Sequence, residues 1–192
     1  MSKEPTISSR RIYEGCILNL RVDTVRLTSG RTTEREIIEH GDCVAVVAID
    51  DEDNVLLVRQ FRKPAERDLL EIPAGGIEPG EDPAACVQRE LGEETGYAAG
   101  QLQRIGGFYS SPGFCTEYMH LYLAMGLRPR ALAPEEDESI EVIKVPLSRA
   151  LEMIEADEIC DAKSIAGLLM VQALRRGDRI SGKAVERKQI AC

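Results

Sequence analysis

The chain has 192 residues, 43% of them hydrophobic and 30% charged, with a formal net charge of −9. That length and balance suit one folded domain with a sizeable core and exclude a chain too polar to collapse. The negative charge argues against a long nucleic acid as partner, because that affinity comes from Lys and Arg neutralising phosphates, and with no Trp and only three Phe there is little for bases to stack on. Small anionic ligands stay open, since they need only a local arginine cluster or a metal ion.

No apolar run approaches the roughly 20 residues needed to cross a bilayer, and the opening MSKEPTISSRR has no apolar stretch of signal-peptide type. A cytoplasmic protein without a membrane partner is the expectation. The six cysteines, Cys16, Cys43, Cys86, Cys115, Cys160 and Cys192, form no C-x-x-C pair and have no His at zinc spacing, so structural free thiols are expected.

Residues 12–27 read as one strand, with Ile17, Leu18, Val22, Val25 and Leu27 broken by polar residues. Ser29, Gly30 and Arg31 supply turn chemistry, and residues 33–39 return as the second strand of an antiparallel hairpin. The run CVAVVAI over residues 43–49 is apolar throughout and reads as a strand buried on both faces; residues 51–54 turn it into a strand over 55–61, and this pair is expected at the sheet centre. A helix is predicted over 83–95, where Asp82 caps the N-terminus, Pro83 takes the first helical position and Gly96 follows the end.

Strands over 103–109, 118–125 and 140–145 follow from alternating or β-rich composition. Two further helices are predicted, one over 147–156 from Leu147, Ala150, Leu151 and Ile154, the other over 161–176 from Ile165, Leu168, Leu169 and Leu174. Interleaved strands and helices in one unit imply an α/β (α+β) sandwich, a mixed central sheet flanked by helices. We divide it into an N-terminal β region over residues 1–40, a main domain over 41–178 and a polar tail over 179–192.

The chemistry concentrates in GGIEPGEDPAACVQRELGEETGY, which begins at Gly75. On a helix, Glu90, Glu93 and Glu94 fall within roughly 100° of one another, beside an apolar sector of Ala84, Val87 and Leu91. A solvated acidic face is the plain reading of such a group. Against it, the charges crowd the C-terminal half of the helix, where the macrodipole disfavours them, and like charges at i and i+4 repel. A bound divalent cation relieves that cost, and carboxylates without Cys or His nearby favour Mg²⁺ or Mn²⁺ over zinc.

This segment resembles the Nudix box, G-x5-E-x7-R-E-U-x-E-E-x-G-U with U apolar, at Gly75, Glu81, Arg89, Glu90, Leu91, Glu93, Glu94 and Gly96, with Tyr97 as a softer match at the last position. At average residue frequencies of about 7%, the seven specified positions coincide by chance on the order of 10⁻⁸ per starting point. The resemblance implies the Nudix fold and two or three Mg²⁺ ions, or Mn²⁺, held by Glu90 and Glu94 with Glu93 and Glu81 nearby. It also implies that Arg89 orients these carboxylates and that the Ala74 carbonyl completes the metal shell.

Flanking segments, REIIEHG, VRQFRKP, LEIPAGGIEPGE and SPGFCTEYMHLYLA, resemble the ADP-ribose pyrophosphatase branch, as does Pro112, sixteen residues after Gly96. The resemblance implies that Arg35 and Arg62 hold the diphosphate and that Glu71 and Glu117 contact the substrate, through ribose hydroxyls. Ile17, or a neighbour in the first strand, packs on the adenine. The acidic stretch PEEDE over residues 134–138 resembles a loop that brings a catalytic base over the metals, with Glu136 and Glu138 as candidates. A homodimer is implied, with N-terminal strands reaching across the two-fold axis. The expected reaction is hydrolysis of ADP-ribose; the alternatives are GDP-mannose or another nucleotide sugar as substrate, or a non-catalytic ligand sensor on the same fold.

Overall fold

The computed structural model of the chain describes residues 3–130 and 140–177. Three strands, β1 (Thr6–Glu14), β2 (Leu18–Arg26) and β3 (Thr32–His40), form an antiparallel N-terminal sheet in that order. The single strand expected over residues 12–27 is therefore two strands. β1 ends at Glu14, and a turn closed by Gly15 N donating to Leu18 O at 3.1 Å reverses the chain into β2. β1 was illegible as a separate strand because all nine of its residues are exposed, so no core alternation marks it.

The main body is a seven-stranded sheet. Its central path runs β10 (Glu141–Pro146), β5 (Asn54–Arg62), β4 (Cys43–Ile49), β9 (Tyr118–Pro129) and β8 (Tyr97–Tyr109), while β6 (Arg67–Glu71) pairs with β5 and β7 (Ala74–Gly76) with β4. The β4–β9 pairing is parallel and the others are antiparallel, so the sheet is mixed, as expected. β6 and β7 were not foreseen.

Every residue of β4 is buried, and its alternation divides the core. Ala45, Val47 and Ile49 face one layer with Leu147, Ala150, Leu168 and Val171, from α2 (Leu147–Glu155) and α3 (Ala162–Arg176). Val44, Val46 and Ala48 face the other layer with Cys86, Val87 and Leu91 of α1 (Pro83–Thr95). Two apolar faces on one central strand make the three-layer sandwich.

The caps of α1 work as predicted. The Asp82 carboxylate accepts from the backbone N–H groups of Ala84 and Ala85, and Gly96 takes a left-handed φ of 74° that ends the helix. No helix among the described residues is long and apolar enough to cross a membrane.

Candidate active site

β7 and the first residues after it lead straight into α1, so the box folds back on itself. Arg89 is the hub of this fold-back. Its Nε and Nη2 donate to the two oxygens of Glu81 at 3.0 and 3.1 Å, its Nη1 donates to Glu90 at 2.8 Å and Glu93 at 3.1 Å, and its Nη2 also donates to the Gly76 carbonyl at 3.1 Å. One permanently charged group therefore offsets the crowding of carboxylates at the end of α1. The hydrogen bond from Arg89, helped by the Glu78 N–H and opposed by burial, lowers the Glu81 pKa to about 2.

Glu94, 7% exposed, accepts from the Ala74 N–H at 3.0 Å and so ties the end of α1 to β7. The Glu90 carboxylate lies against Gly75, where an added Cβ would fall 1.9 Å from Oε1. Hence a side chain at the first box glycine would displace the Glu90 carboxylate. Arg89 thus gathers Glu81, Glu90 and Glu93, and Glu94 is tied to β7 beside them; carboxylate oxygens are hard donors, of the kind that suits Mg²⁺ or Mn²⁺ better than a softer ion.

Beside this cluster opens a cleft of about 480 Å³. Four of the residues singled out from sequence, Ile17, Arg62, Ala74 and Glu117, line it. Ile17 lies in the turn between β1 and β2 rather than within a strand, and at 79% exposure it is not a core residue. Arg62 grips Glu71 through two points, Nε to Oε1 at 2.9 Å and Nη2 to Oε2 at 2.7 Å. Lys163 bonds the same Glu71 carboxylate and lies 3.0 Å from Asp161.

Burial pushes the Glu71 carboxyl up, but Arg62 and Lys163 together hold it below its ordinary range. Lys163 reaches this position because α3 is anchored at its start. Ser164 Oγ donates to Asp161 at 2.6 Å and accepts from the Ile72 N–H at 2.8 Å, fixing the helix to the end of β6.

Three predicted substrate residues are not on the cleft wall: Glu71, 2% exposed, lies behind it and is engaged by Arg62 and Lys163, and Arg35 and Pro112 lie elsewhere. Arg35 sits exposed on β3, paired with Glu4 at 2.9 Å. Pro112 lines a separate depression with Tyr109, Cys115 and Thr116. Glu136 and Glu138 lie outside the described residues. Sequence reasoning missed Lys163, His40, Cys43 and Phe108 in the cleft wall. No local pattern marks them, because each arrives through a tertiary contact.

The NUDIX domain model matches residues 39–167, and the model of the nucleoside diphosphate sugar hydrolase N-terminal domain matches residues 4–38. The chain is 42% identical over 172 residues to an ADP-ribose pyrophosphatase of Bacillus subtilis (strain 168), covering 88% of this chain and 93% of that one. It is 34% identical over 186 residues to a GDP-mannose pyrophosphatase of Salmonella paratyphi B, covering 90% and 97%. The crystal structure of an ADP compounds hydrolase superposes with a TM-score of 0.84 at 22% identity, over 92% of this chain and 96% of that one, which establishes the shared fold. With the domain model spanning more than half of its length and every charged position of the box present, the chain belongs to the Nudix family.

Proposed function

We propose that the chain is a Nudix pyrophosphohydrolase that splits the diphosphate of a nucleoside diphosphate sugar, converting ADP-ribose and water to AMP and ribose 5-phosphate. One observation carries the reading: Arg89 gathers Glu81, Glu90 and Glu93 against β7, next to a cleft walled by Arg62 and Lys163. The choice of a nucleotide sugar is supported by the match of the N-terminal region to the nucleoside diphosphate sugar hydrolase model and by the 42% identity to the Bacillus subtilis enzyme.

Nudix hydrolases generally use divalent metal ions. Two or three Mg²⁺ ions, or Mn²⁺, held by Glu81, Glu90, Glu93, Glu94 and the Ala74 carbonyl, would neutralise the diphosphate and lower the pKa of a bound water. The remaining work falls to the chain. Arg89 keeps the carboxylates oriented, a supporting role that decides metal geometry. Arg62, its plane fixed by Glu71, presents a guanidinium to the diphosphate. Glu117 accepts from sugar hydroxyls, Ile17 packs on the base, and Pro112 shapes the adjoining loop. The attacking water adds to one phosphorus, the bond from that phosphorus to the bridging oxygen breaks, and the departing phosphate keeps the electron pair.

The working unit in this proposal is a cytoplasmic homodimer, joined through the region before residue 41. Ile7, Ile12 and Tyr13 are exposed on β1, and Arg35 lies outside the cleft of its own chain, which suits a residue that serves a partner's site. A monomeric mass by light scattering at micromolar concentration would sink this part.

A panel of nucleotide sugars assayed with Mg²⁺, with products identified, tests the activity. AMP and ribose 5-phosphate should dominate. Preferential turnover of GDP-mannose, a reading favoured by the likeness to the Salmonella protein, would replace the substrate but keep the chemistry. Absence of turnover across the panel would point instead to a ligand sensor.

A further inference from the structure

On the wall of the same cleft, where Cys43 pairs with Gly76 of β7, His40, Cys43 and Glu117 offer one donor atom each, a ring nitrogen, a thiol sulfur and a carboxylate oxygen, all within 4.8 Å of one another. None of the three belongs to the Nudix box. We propose that they form a second cation site, built for a borderline transition metal such as Zn²⁺ rather than for Mg²⁺, with its fourth position open to the cleft.

The donor chemistry argues for that ion class. Nitrogen and sulfur donors select Zn²⁺, Co²⁺ and their neighbours over Mg²⁺, and three protein ligands with one open position are the pattern of a zinc site accessible to solvent or ligand. The side chains also converge without the ion. His40 Nδ1 lies 3.7 Å from Glu117 Oε1, and both His40 Nδ1 and Cys43 Sγ face the Gly41 carbonyl, at 2.8 and 3.9 Å. Binding through Nδ1 exchanges the contact with Gly41 for the metal.

The backbone beneath the three residues is held in place. Thr116 Oγ1 accepts from the His40 N–H at 2.9 Å and donates to the His40 carbonyl at 2.9 Å, while the Thr116 N–H donates to the Ile38 carbonyl at 3.0 Å. These bonds join the end of β3 to the segment that carries Glu117. Cys43 opens β4, which runs parallel to β9 with Cys43 opposite Met119, two residues beyond Glu117. Ligands fixed on two strand ends and one pinned segment need only side-chain rotation to close on an ion. Cys43 is 8% exposed and lines the cleft.

Cobalt is the probe, because a thiolate bound to Co²⁺ gives a charge-transfer band in the near ultraviolet and carboxylate-bound Co²⁺ does not. The full chain, reduced and in excess Mg²⁺ so that the box glutamates favour the harder ion, is titrated with Co²⁺. The expected result is a thiolate band saturating at one Co²⁺ per chain and bleached by Zn²⁺. It should disappear in Cys43→Ser, lose about tenfold or more in apparent affinity in His40→Gln, and persist in Glu90→Gln, since even a group supporting a metal ligand is worth 10- to 100-fold. Thermal melts of each variant establish that it is folded, and His40→Gln, which changes a less buried side chain, carries the test if Cys43→Ser unfolds. The absence of a band in the wild-type chain, or a band that survives undiminished in both folded variants, overturns the site.

Discussion

Glu90 lies so close over Gly75 that the glycine has no room for a side chain: an added Cβ would fall 1.9 Å from Oε1 and 2.0 Å from Cδ. The atoms in the way are the far end of a flexible side chain, so Gly75→Ala should be accommodated by Glu90 swinging aside. The fold then survives while the carboxylate leaves its place beside Arg89. We predict a change in stability within about 1 kcal/mol and a loss of Mg²⁺ affinity and kcat of about tenfold or more. Urea melts and Mg²⁺-dependence curves measure the two quantities, and an alanine variant with wild-type Mg²⁺ dependence would remove Glu90 from the metal set.

Glu94 offers a cleaner test of the metal-dependent reaction. Its carboxylate accepts from the Ala74 N–H, a bond that the amide oxygen of Gln can still accept, so Glu94→Gln keeps the tie between α1 and β7 and loses only the charge. If Glu94 stabilises charge in the transition state, kcat should drop by at least about a hundredfold with the thermal melt nearly unmoved. Near-wild-type turnover in this variant, or full activity of the native chain in excess EDTA, is the outcome that rejects the assignment.

The second ionic cluster should be visible in stability as well as in rate. Glu71 is 2% exposed and engaged by Arg62 and Lys163. Burial raises its pKa, but these two cations outweigh burial and hold it below its ordinary value of 4.5. A carboxyl with a folded pKa below its unfolded one binds fewer protons when folded. Its stabilisation is therefore complete above about pH 4.5 and fades as the pH falls through the folded value. Glu71→Gln takes the shared carboxylate from a partly exposed Arg62 and a largely buried Lys163, which keeps Asp161, and should cost about 1 to 3 kcal/mol at pH 7 and progressively less below pH 4.5. Urea denaturation at a series of pH values checks this, and a cost that is the same at pH 7 and pH 3 would show that shape rather than charge matters at this position.

What the sequence revealed tracks how local the determining physics is. The β4 run is apolar at every position, and burial on both faces is the only way to use it, so its place at the sheet centre was legible. The ends of α1 were legible because Asp82, Pro83 and Gly96 act within one turn of the helix they bound. β1 was merged with β2 because neither its polar residues nor Gly15 signals where a strand exposed throughout must end. β7, three residues long, exists only through its pairing with β4. The same division holds in the site. Glu90, Glu93 and Glu94 were found because their spacing is set by one helix, whereas the bond from Lys163 to Glu71 spans 92 residues and depends on Ser164 pinning α3 to Ile72.

The general base of the proposed reaction should lie outside the box. Glu81, Glu90, Glu93 and Glu94 are assigned to metal, and a carboxylate whose lone pairs are occupied by a cation accepts a proton poorly. Arg89 adds to this, since it already donates to Glu81, Glu90 and Glu93 and lowers the proton affinity of Glu81 to a pKa of about 2. A free carboxylate is therefore needed near the attacking water. We propose that the segment PEEDE, which follows β9 in the sequence and lies outside the described residues, provides it as Glu136 or Glu138. A group that removes a proton in the transition state affects kcat more than substrate binding. We therefore predict that either Glu136→Gln or Glu138→Gln lowers kcat for ADP-ribose at least about tenfold, with a smaller change in KM and with the acidic limb of the pH–rate profile shifted or lost. The two variants are made separately and assayed with Mg²⁺ across pH. If both keep full kcat and an unmoved profile, no carboxylate of this segment is the base, and the proton must leave to Glu93 or to solvent from a water already acidified by the metal.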